Sequence, residues 1–174
     1  YDRTHNFQMG FVYELPFAKD SSNPVAMVVK NWQVNGIFSA FSGLPFTIAG
    51  NNTALNQRAG QQTIDLVGPL RRVGDPGPDE VYYDPTAFAE PGAKWGNTER
   101  NQFRGPFNWN LDASVFRTFP FGRYRAEFRV ESTNIMNHTQ WGNPITGLTN
   151  VNFMKIRSLS RDPRRIQLGV RFQF

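Results

Sequence analysis

Residues 164–174 read RRIQLGVRFQF, and this run alternates strictly between polar and apolar side chains. Successive side chains of a β-strand point to opposite faces of the sheet, so the run predicts a strand with one apolar and one polar face. The apolar face carries Ile166, Leu168, Val170, Phe172 and Phe174, and the polar face carries Arg165, Gln167, Gly169, Arg171 and Gln173. The run is about as long as a tilted strand must be to cross the hydrocarbon layer of a membrane, roughly 9–11 residues.

Four more segments alternate in the same way, and together they predict an all-β, antiparallel fold. The five predicted strands span residues 5–17, 31–48, 108–119, 123–135 and 164–174. An arginine that faces lipid at the centre of a membrane costs about 2–4 kcal/mol, so the arginines of the fourth segment must face a wet interior or, in a soluble sheet, the surrounding water. Interleaved glutamates can pair with them there. The residues predicted to face this interior are Gln33, Asn35, Asp112, Arg125, Glu127, Arg129, Glu131 and Gln167.

The connections between the predicted strands differ systematically in length. A tight turn around residues 120–123 joins the third and fourth strands, whereas a long loop of about residues 50–107 separates the second and third. Compact soluble domains use connections of about 4–6 residues, but outer-membrane barrels have short periplasmic turns and long outer loops. If the last strand runs toward the periplasm, the long loop and the 136–163 connection both fall outside. The 18–30 connection then falls on the periplasmic side, where it is longer than usual.

Composition narrows the protein class further. The chain has 174 residues, a net charge of +5, no cysteine and 16 phenylalanines, with a mean hydropathy of −0.50. Abundant aromatic residues in a chain of such low hydropathy fit strands with one apolar and one polar face. No apolar run approaches the roughly 18 residues of a membrane-spanning helix. Five strands cannot close a barrel, so we expect a carboxyl-terminal part of a larger one, with its signal peptide and earlier strands absent.

The last eight residues, QLGVRFQF, resemble the signal by which the barrel-assembly machinery recognises outer-membrane proteins. The matching positions are Gln167, Gly169, Phe172 and Phe174. The resemblance implies that the terminal aromatic residue is read during insertion. The barrel-assembly machinery is therefore an expected partner.

Over nearly its whole length the chain resembles the final strands of Oar-like TonB-dependent outer-membrane transporters. The matches occur in collinear order and include Trp32-Gln33, Ser42-Gly43-Leu44-Pro45-Phe46, Phe88, Gly96-Asn97, Arg104-Gly105-Pro106, Leu111-Asp112, Glu131, Asn134 and Asn137-His138. The resemblance implies a barrel of about 22 strands, with a plug domain in its lumen, in the outer membrane of a Gram-negative-type bacterium. In that family the plug and the TonB-contacting segment lie nearer the amino terminus, and no residue here matches them. The implied function is transport of an unidentified substrate, with TonB as a partner through the absent plug region.

The sequence shows no catalytic constellation, so neither an enzymatic activity nor a cofactor is predicted. His5 and His138 lie far apart and have no second ligand at metal spacing. The acidic residues of the long loop lack the spacing of a calcium loop, so no metal site is predicted; they are Asp65, Asp75, Asp79, Glu80 and Asp84. A basic protein can bind nucleic acid, but such a surface interleaves arginines with aromatic residues. Here the two are predicted on opposite faces of the strands, which argues against nucleic acid as a partner.

Two further groups of residues are predicted to contact the membrane. Interfacial aromatic belts are predicted from Tyr13, Trp32, Trp109, Tyr124 and Trp141. A cluster of arginines near the outer end of the last hairpin is predicted to meet the phosphates of lipopolysaccharide; it consists of Arg157, Arg161, Arg164 and Arg165. The alternative for this cluster is ordinary solvated charge.

The sequence leaves one alternative fold and function open. A soluble all-β binding module, such as a carbohydrate-binding sandwich, would also contain alternating strands, with the long loop as its recognition surface. In such a module the apolar faces would pack against a second sheet. In a barrel they would face lipid.

Overall fold

The structure, a computed structural model, describes residues 2–16, 30–51 and 62–174. In chain order the strands are β1 Asn6–Glu14, β2 Trp32–Phe41, β3 Pro45–Phe46, β4 Asp65–Leu66, β5 Phe88–Ala89, β6 Phe103–Arg104, β7 Asn108–Phe121, β8 Tyr124–Thr133 and β9 Arg165–Gln173. A 3₁₀ helix spans Pro85–Ala87. Within the described ranges, no helix has the length and apolar character needed to cross a membrane. The predicted all-β class is confirmed.

One unit, here called the sheet unit, comprises Phe7–Ala40, Trp109–Thr139 and Asp162–Phe174. Its sheet has five strands in the order β1-β2-β7-β8-β9, so strands that follow one another in this set are also neighbours in space. Over the described residues, the edge strands are β1 and β9, and no strand pairing joins them. A short turn joins β7 to β8, whereas the β2–β7 and β8–β9 connections are long.

Across β7, β8 and β9 the register places apolar residues opposite apolar residues and polar residues opposite polar residues. On one face, the antiparallel β8–β9 ladder pairs Phe128 with Val170 and Val130 with Leu168. On the other face, the same ladder pairs Glu127 with Arg171 and Glu131 with Gln167. The β7–β8 ladder continues both faces, because Val115 lies opposite Val130 and Ser114 lies opposite Glu131. These three strands therefore share one apolar face and one polar face.

Aromatic contacts extend the apolar face across β1 and β2. The ring centroid of Phe38 lies 6.3 Å from that of Phe7 and 6.1 Å from that of Trp109. Gly36 lies two residues before Phe38, and a Cβ at Gly36 would overlap the ring of Phe11, so this glycine makes room for an aromatic neighbour on the same face. The apolar face thus runs from β1 to β9.

Two residues break the separation of the faces. Arg117 lies on the apolar face, opposite Phe128, with only 7% of its surface exposed. Its guanidinium carbon lies 4.1 Å from the ring centroid of Phe119 and 5.5 Å from that of Trp32. On the polar face, the ring of Phe116 lies 4.6 Å from the Arg129 guanidinium carbon. The prediction that arginines and aromatic residues occupy opposite faces is wrong here, because a guanidinium group stacks favourably on an aromatic ring.

The other unit, here called the loop unit, comprises Tyr1–Asn6, Phe41–Asn108 and Gln140–Arg161. Within it β3 pairs with β6 and β4 pairs with β5, both antiparallel. Its hydrophobic core consists of Phe46, Ile48, Ile64, Tyr82, Tyr83, Ala87, Phe88, Phe103, Phe153, Met154 and Ile156. Residues 153–156 of the β8–β9 connection thus complete a core whose other members come from the β2–β7 connection. Where the sequence predicts only a long loop, the structure has a folded unit.

The strand predicted over residues 31–48 ends at Phe41, seven residues early. A Cβ at Gly43 would overlap the backbone carbonyl of Gly105, so the two backbones approach closely at a position that only glycine fits. The amide of Gly105 donates to the Leu44 carbonyl at 3.0 Å, and β3 then pairs Pro45 with Arg104. The chain therefore leaves the five-stranded sheet and continues as part of the loop unit.

Candidate functional site

The structure brings the predicted interior-facing residues onto one face of the sheet. Gln33 and Asn35 alternate with the apolar residues of β2, and the Gln33 amide donates to Asn35 Oδ1 at 2.8 Å. Asp112 has the same parity on β7 as Ser114, which lies opposite Glu131. This polar face forms the candidate site, because its side chains are the ones that a water-filled lumen would meet.

A charged network on β8 dominates the polar face. Arg129 Nη2 lies 2.7 Å from Glu127 Oε1, and its Nη1 lies 3.3 Å from Glu131 Oε1. The position opposite Arg129 on β9 is Gly169, which has no side chain to cover the guanidinium group. Arg129 is therefore held between two carboxylates and over Phe116 while one side stays open.

Two other arginines of this face differ from Arg129 in their ion pairing. Among the described residues, neither Arg125 nor Arg171 has a carboxylate within ion-pair distance, although Arg171 lies opposite Glu127. Glu127 is engaged by Arg129 instead. The positive charge that this face offers to a solute therefore lies at Arg125 and Arg171.

Several residues that carry the family resemblance fix the point where the chain leaves β8. Asp112 Oδ1 accepts hydrogen bonds from the Asn110 amide at 2.7 Å and from the backbone N–H of Asn134 at 2.8 Å. Asn134 adopts a positive φ of 50° and exchanges two hydrogen bonds with the backbone of His138, at 2.9 and 3.0 Å. The His138 ring stacks on Trp109 with 4.3 Å between centroids. These contacts give His138 a packing role at the end of the sheet.

Four of the five predicted interfacial aromatic residues lie on the apolar face. Tyr13 and Tyr124 are exposed there, and Trp32 and Trp109 are partly buried. Trp141 lies in the loop unit, where its backbone forms an isolated antiparallel β-bridge with Leu159. Its side chain packs against the hydrophobic core of the loop unit, and its part in an interfacial belt stays a prediction.

The residues of the predicted assembly signal lie on β9 and directly after it. Gln167 and Gly169 are on the polar face, and Phe172 is on the apolar face with 72% of its surface exposed. Phe174 follows the strand and is also exposed. Nothing in this arrangement tests recognition by the assembly machinery, which stays a prediction.

The four arginines predicted to form one lipopolysaccharide-binding cluster have separate partners. In the loop unit Arg157 pairs with Asp79 at 2.6 Å, and Arg161 lies over the ring of Phe41. In the sheet unit Arg165 pairs with Asp162 at 3.1 Å, and the backbone N–H of Arg164 donates to Asn137. Two of the four are already neutralised by carboxylates, which reduces the charge that they offer to an external phosphate.

Charged and polar groups of the loop unit stabilise its fold. Tyr82 is buried, and burial raises the pKa of its hydroxyl to about 12, while the Arg72 guanidinium over its ring acts in the opposite direction. Asp84 caps the 3₁₀ helix by accepting hydrogen bonds from Thr86, and these bonds lower the pKa of its carboxyl. Asp65 pairs with Lys94 at 3.2 Å and accepts a hydrogen bond from the backbone N–H of Asn97.

The comparisons with known proteins identify the family. A family model described as an outer membrane beta barrel domain matches residues 1–167. No curated protein and no solved structure matches the chain significantly. The match spans β1 to β8, both long connections and the first three residues of β9, so the soluble binding module is set aside. The chain belongs to the outer membrane beta barrel domain family, and its protein resides in the outer membrane.

Proposed function

We propose that this chain forms part of the barrel of a TonB-dependent outer-membrane receptor that transports a substrate not yet identified. The observation that supports this most is the loop unit, which has its own aromatic core. A passive pore needs no folded binding surface, whereas a receptor needs side chains that are held in place by a rigid support. The folded loop unit supplies such a support.

The polar face of the sheet supports the same proposal. A transporter lumen is lined by fixed charges and amides that set the field met by a passing solute. Here Arg129 is neutralised by Glu127 and Glu131, while Arg125 and Arg171 are available. This face would form one part of the lumen wall.

The resemblance to Oar-like transporters supplies the proposed partners. TonB would act through a plug domain, which would close the lumen until transport is energised. The barrel-assembly machinery would read the residues of β9, and the outer surface would contact lipopolysaccharide. None of these residues is proposed to catalyse a reaction or to hold a cofactor.

Conductance of the full-length protein in planar lipid bilayers tests the transporter proposal. We expect the intact protein to conduct little, because the plug fills the lumen, and we expect a variant without the plug to form a wide open pore. In pull-down experiments the periplasmic domain of TonB should bind the intact protein and not the plug-deleted variant. An intact protein that conducts as a permanently open pore and does not bind TonB would contradict the proposal.

A further inference from the structure

Two arginines that are distant in sequence each lie over the ring of one phenylalanine of the loop unit. The guanidinium carbon of Arg3 lies 4.6 Å from the ring centroid of Phe41, and that of Arg161 lies 5.2 Å from it. Both distances fall within the roughly 6 Å typical of cation–π contacts. Phe41 is 7% exposed, so its ring is a fixed support for both side chains.

The charges of this pair are not balanced by acid. Among the described residues, no carboxylate lies within ion-pair distance of Arg3 or Arg161. Asp2, the neighbour of Arg3, is engaged by Arg104 through its carboxylate and its backbone carbonyl. Burial, together with the charge of Arg161, lowers the pKa of Arg3. Two like charges held together in this way repel each other, and an anion bound between them would offset that repulsion.

We propose that Arg3 and Arg161, supported by Phe41, form a binding site for a phosphate group. A guanidinium group is a planar fork of N–H donors that binds two oxygens at once. A carboxylate has only two oxygens and one charge, enough for one fork, whereas a phosphate has the oxygens and the charge for two. The ring of Phe41 lies against both guanidinium groups, and among the described residues no carboxylate occupies their N–H donors.

Two sources have this chemistry, a soluble phosphorylated ligand and a phosphate of lipopolysaccharide, and the measurements below distinguish them. The site does not depend on coupling to TonB, and it can exist even if the transporter proposal fails.

Titration calorimetry with inorganic pyrophosphate tests the site in the full-length protein, purified in a non-ionic detergent. We expect Arg3→Gln and Arg161→Gln each to weaken binding by about tenfold or more, since each removes charge-assisted hydrogen bonds and keeps a side chain of similar shape. The matched control is Arg157→Gln, an exposed arginine of the same unit that already pairs with Asp79 at 2.6 Å. That variant should bind pyrophosphate as the unchanged protein does.

A second measurement identifies the source of the phosphate. The lipopolysaccharide that co-purifies with each variant is quantified beside the calorimetry. Loss of pyrophosphate binding with unchanged lipopolysaccharide supports a soluble ligand, and loss of lipopolysaccharide in the same two variants supports the same site occupied by a lipid phosphate. The proposal is overturned if neither quantity changes in Arg3→Gln and Arg161→Gln, or if Arg157→Gln loses pyrophosphate binding to the same extent.

Discussion

The two units of this protein differ in how far their apolar side chains are exposed. Among the described residues, every buried hydrophobic side chain belongs to the loop unit, where Phe103 and Ile156 are almost completely covered. In the sheet unit, Leu168 is 68% exposed, the apolar faces of β1 and β9 are exposed in the same way, and most apolar side chains of β2, β7 and β8 are half-buried. A unit surrounded by water hides its apolar surface, whereas a sheet surrounded by lipid presents it. The chain therefore combines a loop unit suited to water with a sheet suited to lipid.

The largest effect is expected from emptying the core of the loop unit. Phe103→Ala should destabilise that unit by about 3–5 kcal/mol, because a buried aromatic side chain leaves a cavity that its neighbours fill only in part. The ring of Phe103 lies 5.8 Å from that of Phe46 and 5.5 Å from that of Phe88. Hydrogen exchange of the full-length protein should show faster exchange over residues 62–103 and unchanged exchange in β7 and β8.

Phe107→Ala is the control for this substitution, because Phe107 belongs to the same unit and is exposed. It should leave the exchange of both units unchanged. If Phe103→Ala accelerated exchange equally in β7 and β8, the separation of the two units would be contradicted.

A charge on the apolar face should have the next largest effect. Leu168→Arg, near the middle of β9, should cost about 2–4 kcal/mol, because it places an arginine in the hydrocarbon layer. Gln167→Arg, one residue earlier on the polar face, should cost far less. Equilibrium unfolding in urea of the full-length protein in lipid vesicles measures both. Equal costs at the two neighbouring positions would show that lipid does not surround the apolar face.

Ionisation of a buried tyrosine should affect only the loop unit. Because the pKa of Tyr82 is raised from 10.0 to about 12, the folded unit holds this proton more tightly than the unfolded chain does. Stability is then fully present below pH 10 and falls as the pH rises from 10 to 12, by an amount on the order of 2 kcal/mol. Proteolysis of the loop unit across this pH range measures the loss.

Tyr82→Phe keeps the aromatic ring and removes the ionisable hydroxyl. The loop unit of this variant should therefore lose less stability over the same pH range. The strands of the sheet unit serve as an internal reference. A Tyr82→Phe protein with the same pH dependence as the unchanged protein would rule out Tyr82 as the cause.

The smallest effect is expected from a charge on an exposed apolar residue of the loop unit. Val151 is 90% exposed, and Val151→Arg should change stability by no more than about 0.5 kcal/mol, because the side chain already lies in water. Leu168→Arg makes the same kind of change at a less exposed position and should cost several times more. Unfolding in urea compares the two, and a large penalty for Val151→Arg would place the loop unit in lipid as well.

The features that the sequence predicts well are local ones. The alternation in residues 164–174 and 123–135 depends only on neighbouring side chains, and β9 and β8 lie within two residues of their predicted bounds. The end of β2 at Phe41 depends on contact between Gly43 and Gly105, which are 62 positions apart. No local pattern encodes such a contact.

The core of the loop unit and the arginine pair were not predictable for a related reason. Tyr82, Phe88 and Phe103 are separated by turn residues and show no period, so they indicate no element. Arg3 and Arg161 share the ring of Phe41 only because the segment before β1 and the end of the β8–β9 connection belong to one folded unit. Their proximity is a property of the fold and is not visible in either segment alone.

The most direct test of lipid around the apolar face is spin-label accessibility along β9. This chain has no cysteine, so single cysteines at successive positions from 166 to 171 can carry a nitroxide label in the full-length protein in lipid vesicles. We predict that labels at positions 166, 168 and 170 collide mainly with oxygen, which concentrates in lipid, and that labels at 167, 169 and 171 collide mainly with a water-soluble nickel complex. Equal access of the nickel complex to both sets would contradict the account.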